Sequence, residues 1–336
     1  MTTLPLLLIG CAVILFAAEF LTNAIDWLGH QLGVSRGPLG GVVAAFRTRM
    51  PEMMIPVIAI IFVGTSEADE VGTGAILGAP FLLSTAAFAV AGSGLFAFQG
   101  RRRHGAKLAF DSAPINRDLS FFIVIYLAGI SSSFLPGHGA KVAVAIGLVL
   151  AYFFYVARRT TLAGERVDEG ALFPLRFHRI LGGRGTPSAW LAWAQLAAAL
   201  SLVVGGAYIF IAEIEEASKA LHVPVLILSL VIAPLATELP ETFNSIISMR
   251  EGKDTLAIGS ISGSMAFQSC IPVCVGVAFT PWELTEVALV SAYVALASTG
   301  MIYVSVLKLG YLSAAILTRA GIFWVGFVSY VIVKLM

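Results

Sequence analysis

Long apolar runs recur along the whole chain and are separated by short polar stretches. A run of roughly 18 to 25 apolar residues is long enough for an α-helix to cross about 30 Å of hydrocarbon. Ten such runs are predicted to span a membrane: residues 4–28, 38–63, 71–97, 119–136, 140–157, 189–212, 224–249, 256–280, 284–306 and 318–336. The hydrophobic pattern therefore predicts an all-α integral membrane protein with about ten transmembrane helices.

A polar segment at residues 158–188 divides the chain into two similar halves, residues 1–157 and 189–336. Each half holds five predicted helices and one copy of a Thr-x-x-Pro-Glu motif: Thr48, Pro51 and Glu52, then Thr237, Pro240 and Glu241. Further along, GAILG in the first half corresponds to GSISG in the second. Because five is odd, the second half is predicted to enter the membrane inverted relative to the first, as in many repeat-built transporters.

The two Pro-Glu motifs lie inside predicted spans, where a carboxylate is costly and usually functional. Pro51 and Pro240 each remove a backbone donor, so they are predicted to break their helices near the bilayer midplane. Two inverted copies bring their motifs together, and the freed carbonyls, Thr hydroxyls and two glutamates then form a set of hard-cation ligands. The residues therefore predict an inverted-repeat transporter, and an accident of packing is the alternative.

Composition and charge support the membrane assignment and predict its orientation. Hydrophobic residues make up 58% of the chain and charged residues 12%, whereas soluble domains carry roughly 25% charged residues. Most of the 21 Lys and Arg residues fall in one alternate set of loops, which includes Arg101–Arg103 and the arginines of 158–184. By the positive-inside rule, we expect both termini outside a plasma (inner) membrane and segment 158–188 in the cytoplasm.

The expected partners are inorganic cations and the lipid bilayer. No basic face with interleaved aromatic residues is present, so nucleic acid is not an expected partner. The spans hold no His-Glu-x-x-His motif, no Ser-Lys or Ser-His pairing and no Asp-Asp pair at catalytic spacing, so an enzyme is not predicted. No cofactor is expected apart from the transported cation. The sequence sets no oligomeric state.

With these motifs, the chain resembles the sodium/calcium exchanger membrane family, part of the cation/calcium exchanger superfamily. Each repeat of that family carries Gly-Thr-Ser-x-Pro-Glu and then Gly-Ser-Asn-x-x-Asn or -Asp, and AEFLTNAIDWLGHQLGVS at residues 18–35 resembles its first helix. The resemblance implies ten helices in two inverted five-helix repeats, and antiport of calcium or a related divalent cation for protons or sodium by alternating access. The family's glutamates correspond to Glu52 and Glu241, and its threonines to Thr48 and Thr237.

The chain departs from the family pattern, mostly in the first repeat. Arg47 and Arg49 stand where the family has glycine and serine, and Ala79 and Leu83 lack the side-chain oxygen of the second motif. The second repeat keeps more oxygen atoms. The predicted cation ligands are Thr48, Glu52, Thr237, Glu238, Glu241, Ser264 and Gln268.

The departures raise the question of what holds two arginines inside a membrane. Arg49 and Glu238 occupy equivalent positions in the two repeats, so the sequence predicts that they face each other and form an ion pair, with Glu52 as a further partner. The alternative is that Arg47 and Arg49 extend along the helix to water. A paired Arg49 also favours an alternative function, a non-transporting or regulatory relative whose ion site the salt bridge occupies.

Two other polar features of the spans leave alternatives open. Glu19 falls where the family often has an acid in its first helix, and it is expected either to line an ion path or to cap a packing contact. Cys270 and Cys274 are four residues apart on one helix face, which permits a soft metal pair, although small packing residues are the preferred interpretation.

Overall fold

The computed structural model describes residues 3–31, 49–102, 104–163, 174–182 and 187–336. These residues are almost entirely helical. Eight helices among them are long and apolar enough to cross a membrane, and a ninth span is formed if a pair of helices bent by 45° at Pro240 is counted as one. The prediction of an all-α membrane fold is confirmed.

Among its described residues, the first half contains six α-helices, two of which are joined by a π-helical turn. They are α1 (Thr3–Gln31), α2 (Met50–Val57), α3 (Ser66–Leu82), α4 (Phe88–Phe98), α5 (Ser112–Ser131) and α6 (His138–Ala163). A π-helical segment, Ile58–Val63, extends α2, and another, Leu83–Ala87, joins α3 to α4. The predicted span 38–63 starts outside the described residues, and its described part is the short apolar helix Glu52–Val63.

The second half repeats this order of elements after the short helix α7 (Arg176–Ile180). Its helices are α8 (Ala189–Leu221), α9 (Val225–Arg250), α10 (Asp254–Gln268), α11 (Ile271–Phe279), α12 (Glu286–Leu309) and α13 (Ala314–Leu335). The pair α10–α11 corresponds to α3–α4, so the third span of each half is interrupted.

Prolines account for most of the irregular helix geometry. Pro51 lies in the first turn of α2, where its missing N–H costs nothing, and the 45° bend of α9 is at Pro240. The π-helical segments follow Pro56 and Pro80, which each remove one intrahelical hydrogen bond and so favour a local change of helix geometry. The bend at Pro240 agrees with the helix break that the sequence predicted there, whereas residues 32–48 before the first motif proline lie outside the described residues.

Small residues bring α3 against α9 so closely that their backbones touch. A Cβ atom added at Gly78 would lie 2.1 Å from the carbonyl oxygen of Leu230, and one at Gly74 would lie 2.7 Å from that of Leu226. Contact of this kind is a common way for helices to associate in a membrane, where packing rather than the hydrophobic effect holds them together. The sequence expectation of close approach at Gly78 is therefore met.

We expect Gly78→Ala to destabilise the protein, because the new methyl group must displace the backbone of α9. The expected loss is about 1–3 kcal/mol of unfolding free energy, as for other overpacked interiors. Thermal unfolding in detergent checks this, with Gly147→Ala as the matched control. No atom lies within 4 Å of a Cβ at Gly147. Equal unfolding temperatures for the two variants would contradict the close packing.

A two-stranded antiparallel ladder, which the all-α prediction did not include, joins the loops of the two halves. Strands β1 (Lys107–Leu108) and β2 (Leu312–Ser313) pair with Leu108 opposite Leu312. Beside the ladder, Arg102 donates to both oxygens of Asp254 at 2.6 and 2.7 Å and to the carbonyl oxygen of Met249. The side chains of Arg102 and Asp254 are only 4% and 2% exposed. This buried ion pair fixes one loop of the first half to the start of α10.

Candidate functional site

Three glutamates from two helices meet in the interior of the bundle. Glu52 lies in the first turn of α2, and Glu238 and Glu241 lie in α9 on either side of Pro240. One carboxylate oxygen from each of the three residues lies within 4.8 Å of the others. Glu52 is 9% exposed and Glu238 is fully buried. We call these three residues the carboxylate cluster.

Local sequence explains why these side chains converge. Glu238 and Glu241 are three residues apart, so they share one face of α9. Pro51 starts α2 directly before Glu52, so the carboxylate lies near the helix N-terminus, where negative charge is favourable. The second Pro-Glu motif therefore places Glu241 at the bend of α9, and the first places Glu52 in the first turn of α2.

Helix α10 supplies a row of polar side chains that face the carboxylate cluster. Gln268 donates its amide N–H to Glu52 Oε2 at 2.8 Å and to Glu238 Oε1 at 3.1 Å. Ser264 Oγ donates to Glu241 Oε2 at 2.6 Å, and Ser260 Oγ donates to Glu241 Oε1 at 2.7 Å. Residues 260, 264 and 268 are four apart, so they lie on one helix face. Of these, Ser260 was not predicted from the sequence, although this spacing is the signal that identifies it.

Arg49 lies directly before α2 and contacts the same row. Its Nη1 donates a hydrogen bond to Ser264 Oγ, which in turn donates to Glu241. Its guanidinium carbon also lies 6.0 Å from the centre of the Phe267 ring. Arg49 is thus connected to the carboxylate cluster through a hydroxyl group.

The predicted ion pair between Arg49 and Glu238 is not formed among the described residues. Glu238 turns instead towards Gln268, whereas Ser264 lies between Arg49 and Glu241. The prediction was wrong because it assumed that equivalent positions of the two repeats face each other across an exact axis. The two repeats have diverged, and α10 separates these two side chains.

The remaining predicted site residues lie elsewhere or outside the described residues. Thr237 is buried, but its hydroxyl donates to the carbonyl oxygen of Ala233 at 3.3 Å. Glu19 is 63% exposed and forms an ion pair with Arg176 at 3.1 Å, so the structure does not bring it to the cluster. Arg47 and Thr48 lie outside the described residues.

The two cysteines of the second half lie in different surroundings. Cys270 is buried among apolar residues of α1, α2 and α8, whereas Cys274 is half-buried and packs against a second apolar cluster around α5 and α12. Within the described ranges, the carboxylate cluster is the only group of three or more His, Cys, Asp or Glu residues placed to hold a metal ion. The arrangement fits the packing role of the cysteines.

The chemistry of the cluster is that of a site for a hard cation. Its side chains offer oxygen atoms from Glu52, Glu238, Glu241, Ser264 and Gln268, and Ca²⁺ prefers six to eight oxygen ligands. Among the described residues, Glu238 Oε2 is buried without a hydrogen-bond partner, which is costly for a carboxylate unless a cation or a proton neutralises it. With all groups ionised, three carboxylates face one guanidinium, so the cluster keeps a negative charge that a cation can neutralise.

Comparison with known proteins identifies the family. The family model described as sodium/calcium exchanger protein matches residues 2–161 and 191–334. The chain belongs to this exchanger family. The resemblance that the sequence motifs carried is thereby confirmed.

Related proteins and structures agree with this membership. CaxA of Alkalimonas amylolytica, named as a candidate antiporter, is 27% identical over 146 residues, which are 43% of this chain and 46% of CaxA. The matched part therefore spans about half the length of that curated relative.

Solved structures of exchangers share the fold. The crystal structure of the H⁺/Ca²⁺ exchanger CAX superposes with a TM-score of 0.72 at 16% identity. The superposition covers 99% of this chain and 86% of the CAX chain. The structure of native YfkE has a TM-score of 0.65 at 14% identity, covering 96% and 91%. The sodium-calcium exchanger NCX_Mj has a TM-score of 0.56 at 13% identity, covering 98% of each chain.

Proposed function

We propose that the protein is a secondary-active antiporter of inorganic cations. It carries calcium or a related divalent cation in exchange for protons or sodium, by alternating access. The observation that carries this proposal is the carboxylate cluster, which lies buried in an exchanger-family fold where the first turn of α2 meets the bend of α9. Relatives named as an H⁺/Ca²⁺ exchanger and a sodium-calcium exchanger support the choice of ions.

Antiport follows physically from sharing one set of carboxylates. A cluster with uncompensated negative charge is costly inside hydrocarbon, so the unloaded site resists the change between its two open sides. A divalent cation, protons or sodium ions can each neutralise Glu52, Glu238 and Glu241. Because these ions compete for the same oxygen atoms, one species must leave before the other binds, and their movements are coupled in opposite directions.

The proposed location is the plasma (inner) membrane, with both termini outside and segment 158–188 in the cytoplasm. The charge bias of the loops supports this orientation. The short helix α7 belongs to that segment. The backbone N–H of Arg176 donates to Asn23 Oδ1 of α1 at 2.9 Å and that of Phe177 donates to Gln195 Oε1 of α8 at 2.8 Å, so α7 lies against both helices. An arrangement with the C-terminal end of α1 on the cytoplasmic side agrees with an outside N-terminus.

We propose neither an enzymatic activity nor a resident cofactor. Antiport requires only the transported ions, and the predicted spans contain none of the catalytic motifs considered above. The alternative of a non-transporting relative depended on an ion pair between Arg49 and Glu238. That pair is not formed among the described residues, so no observation favours the alternative.

Flux into proteoliposomes tests the proposal. We expect an outward sodium gradient or a pH gradient to drive the uptake of radioactive calcium. If another divalent cation shares the carboxylate cluster, an excess of it should reduce this calcium uptake. Glu251→Gln, at an exposed carboxylate beyond the end of α9, is the matched control and should transport normally. Absence of flux of calcium, strontium and manganese under both gradients, with protein shown to be folded, would contradict the proposal.

A further inference from the structure

Outside the carboxylate cluster, α5 carries a further buried carboxylate, Asp118. It is only 1% exposed. Tyr155 donates its hydroxyl to Asp118 Oδ1 at 2.5 Å, and Ser262 donates to Oδ2 at 3.0 Å. The Nε atom of the neighbouring Arg117 lies 3.9 Å from Oδ1. Burial of a carboxylate at this depth is costly, and neither the sequence motifs nor the proposed ion site gives Asp118 a role.

Gly263 leaves a gap in which Asp118 and Arg49 approach each other. Measured from the point where a Cβ of Gly263 would lie, Arg49 Nη2 is 3.2 Å away, Arg159 Nη1 is 3.5 Å away and Asp118 Oδ2 is 4.0 Å away. Any larger residue at this position would crowd the guanidinium group of Arg49. Because Gly263 has no side chain, Arg49 Nη2 and Asp118 Oδ2 both lie next to the space that a side chain would fill.

Arg49 therefore lies between two acidic groups. Its Nη1 donates to Ser264, which is bonded to Glu241, whereas its Nη2 lies 3.2 Å from the Cβ position of Gly263, a point that is 4.0 Å from Asp118 Oδ2. A guanidinium carries its charge permanently and spreads it over nitrogen atoms that point in different directions, so one group can serve two anions.

The position of this charge matters for cation binding. A guanidinium group beside a bound cation repels it, and the repulsion of a divalent cation is twice that of a monovalent one at the same distance. A guanidinium that stays beside Glu241 therefore competes with any cation bound there. It can move away only if another anion compensates its charge, because an unpaired buried charge is costly.

We propose that Asp118 is this second anion: it holds the guanidinium group of Arg49 away from the carboxylate cluster when a cation binds, and so sets the cation affinity of the cluster. Asp118 is a positioning residue and acts through Arg49. Tyr155 and Ser262 fix its two oxygen atoms. The inference rests on the proposed function, since it concerns affinity for the transported cation.

The test is a double-mutant cycle on equilibrium calcium binding to the purified, detergent-solubilised full chain. Asp118→Asn removes the charge and retains the shape, so Arg49 should return to Glu241 and the dissociation constant for calcium should rise by about tenfold. In an Arg49→Gln background, the same Asp118→Asn change should alter the dissociation constant less than about twofold. Asp118→Glu, which retains the charge, should restore most of the affinity.

Each outcome supports or overturns the inference. Glu251→Gln, which removes an exposed carboxylate outside the cluster, is the matched control and should leave the dissociation constant unchanged, and thermal unfolding shows whether each variant is folded. An equal loss of affinity in both backgrounds would mean that Asp118 serves Arg159 or the fold alone, and would overturn the inference. No loss in either background would also overturn it. A wild-type protein that binds no tested cation would overturn the proposed function itself, and the inference with it.

Discussion

Glu241→Gln should abolish cation exchange. Glu241 is the most strongly connected member of the carboxylate cluster, because Ser260 and Ser264 both donate to it and Ser264 links it to Arg49. Glutamine keeps the shape but removes a full negative charge. A lost attraction of about 4 kcal/mol per unit charge at about 4 Å predicts a fall in calcium affinity of at least roughly 100-fold.

The measurement is calcium binding and flux for Glu241→Gln beside wild type, with Glu251→Gln as the control for loss of one acidic group. Glu52→Gln should produce a loss of the same order, because Glu52 shares the cluster from the other repeat. If either variant exchanged calcium at the wild-type rate and affinity, the carboxylate cluster would not be the transport site.

Removal of one partner of the Arg102–Asp254 ion pair should produce the largest loss of stability. Asp254→Asn leaves a buried guanidinium without its counter-charge, and Arg102→Met leaves a buried carboxylate that keeps the N–H of Ala109 as a donor at 2.8 Å. Breaking a buried pair in this way costs about 3–5 kcal/mol. Chemical unfolding in detergent micelles should show this decrease in the free energy of unfolding.

Two comparisons make this prediction specific. Arg101→Met changes the exposed neighbour of Arg102 and should have little effect, since exposed charges contribute little. The double variant Arg102→Met/Asp254→Asn should lose less than the sum of the two single variants, because no unpaired charge remains. Additive losses would show that the two residues stabilise the protein independently.

Much of the fold follows from the sequence because one physical requirement dominates it. In hydrocarbon every backbone polar group needs an internal partner, so a run of about twenty apolar residues must be a helix. The Thr-x-x-Pro-Glu repeat also located Glu52 and Glu241, since a carboxylate inside an apolar span is costly and usually functional. Their role as cation ligands stays a prediction until binding is measured.

The contacts that the sequence did not reveal depend on how the helices rotate against one another. Asp118 was not predicted as a buried residue because the expected span begins at residue 119, which placed this aspartate at the boundary between membrane and water. Gly78 and Gly263 are equivalent in sequence, yet a backbone packs against the first while two guanidinium groups approach the second. Divergence of this kind between the repeats also explains why Arg49 contacts Ser264 and not Glu238.

The π-helical segments and the short ladder between β1 and β2 could not be predicted from the sequence either. Pro56 and Pro80 each remove one helix hydrogen bond, but the form of the resulting irregularity depends on the helices packed around them. The ladder comprises two residues from each strand, which is too short to produce an alternating pattern.

The central claim is that Glu52, Glu238 and Glu241 together hold the transported cation. Crystals grown with strontium, measured at a wavelength where strontium scatters anomalously, test this most directly. We predict an anomalous peak in the bundle interior, bounded by carboxylate oxygens of all three glutamates at about 2.3–2.6 Å, the range for calcium-like ligands. A protein that exchanges strontium in proteoliposomes but shows its interior peak away from these three side chains would contradict the claim.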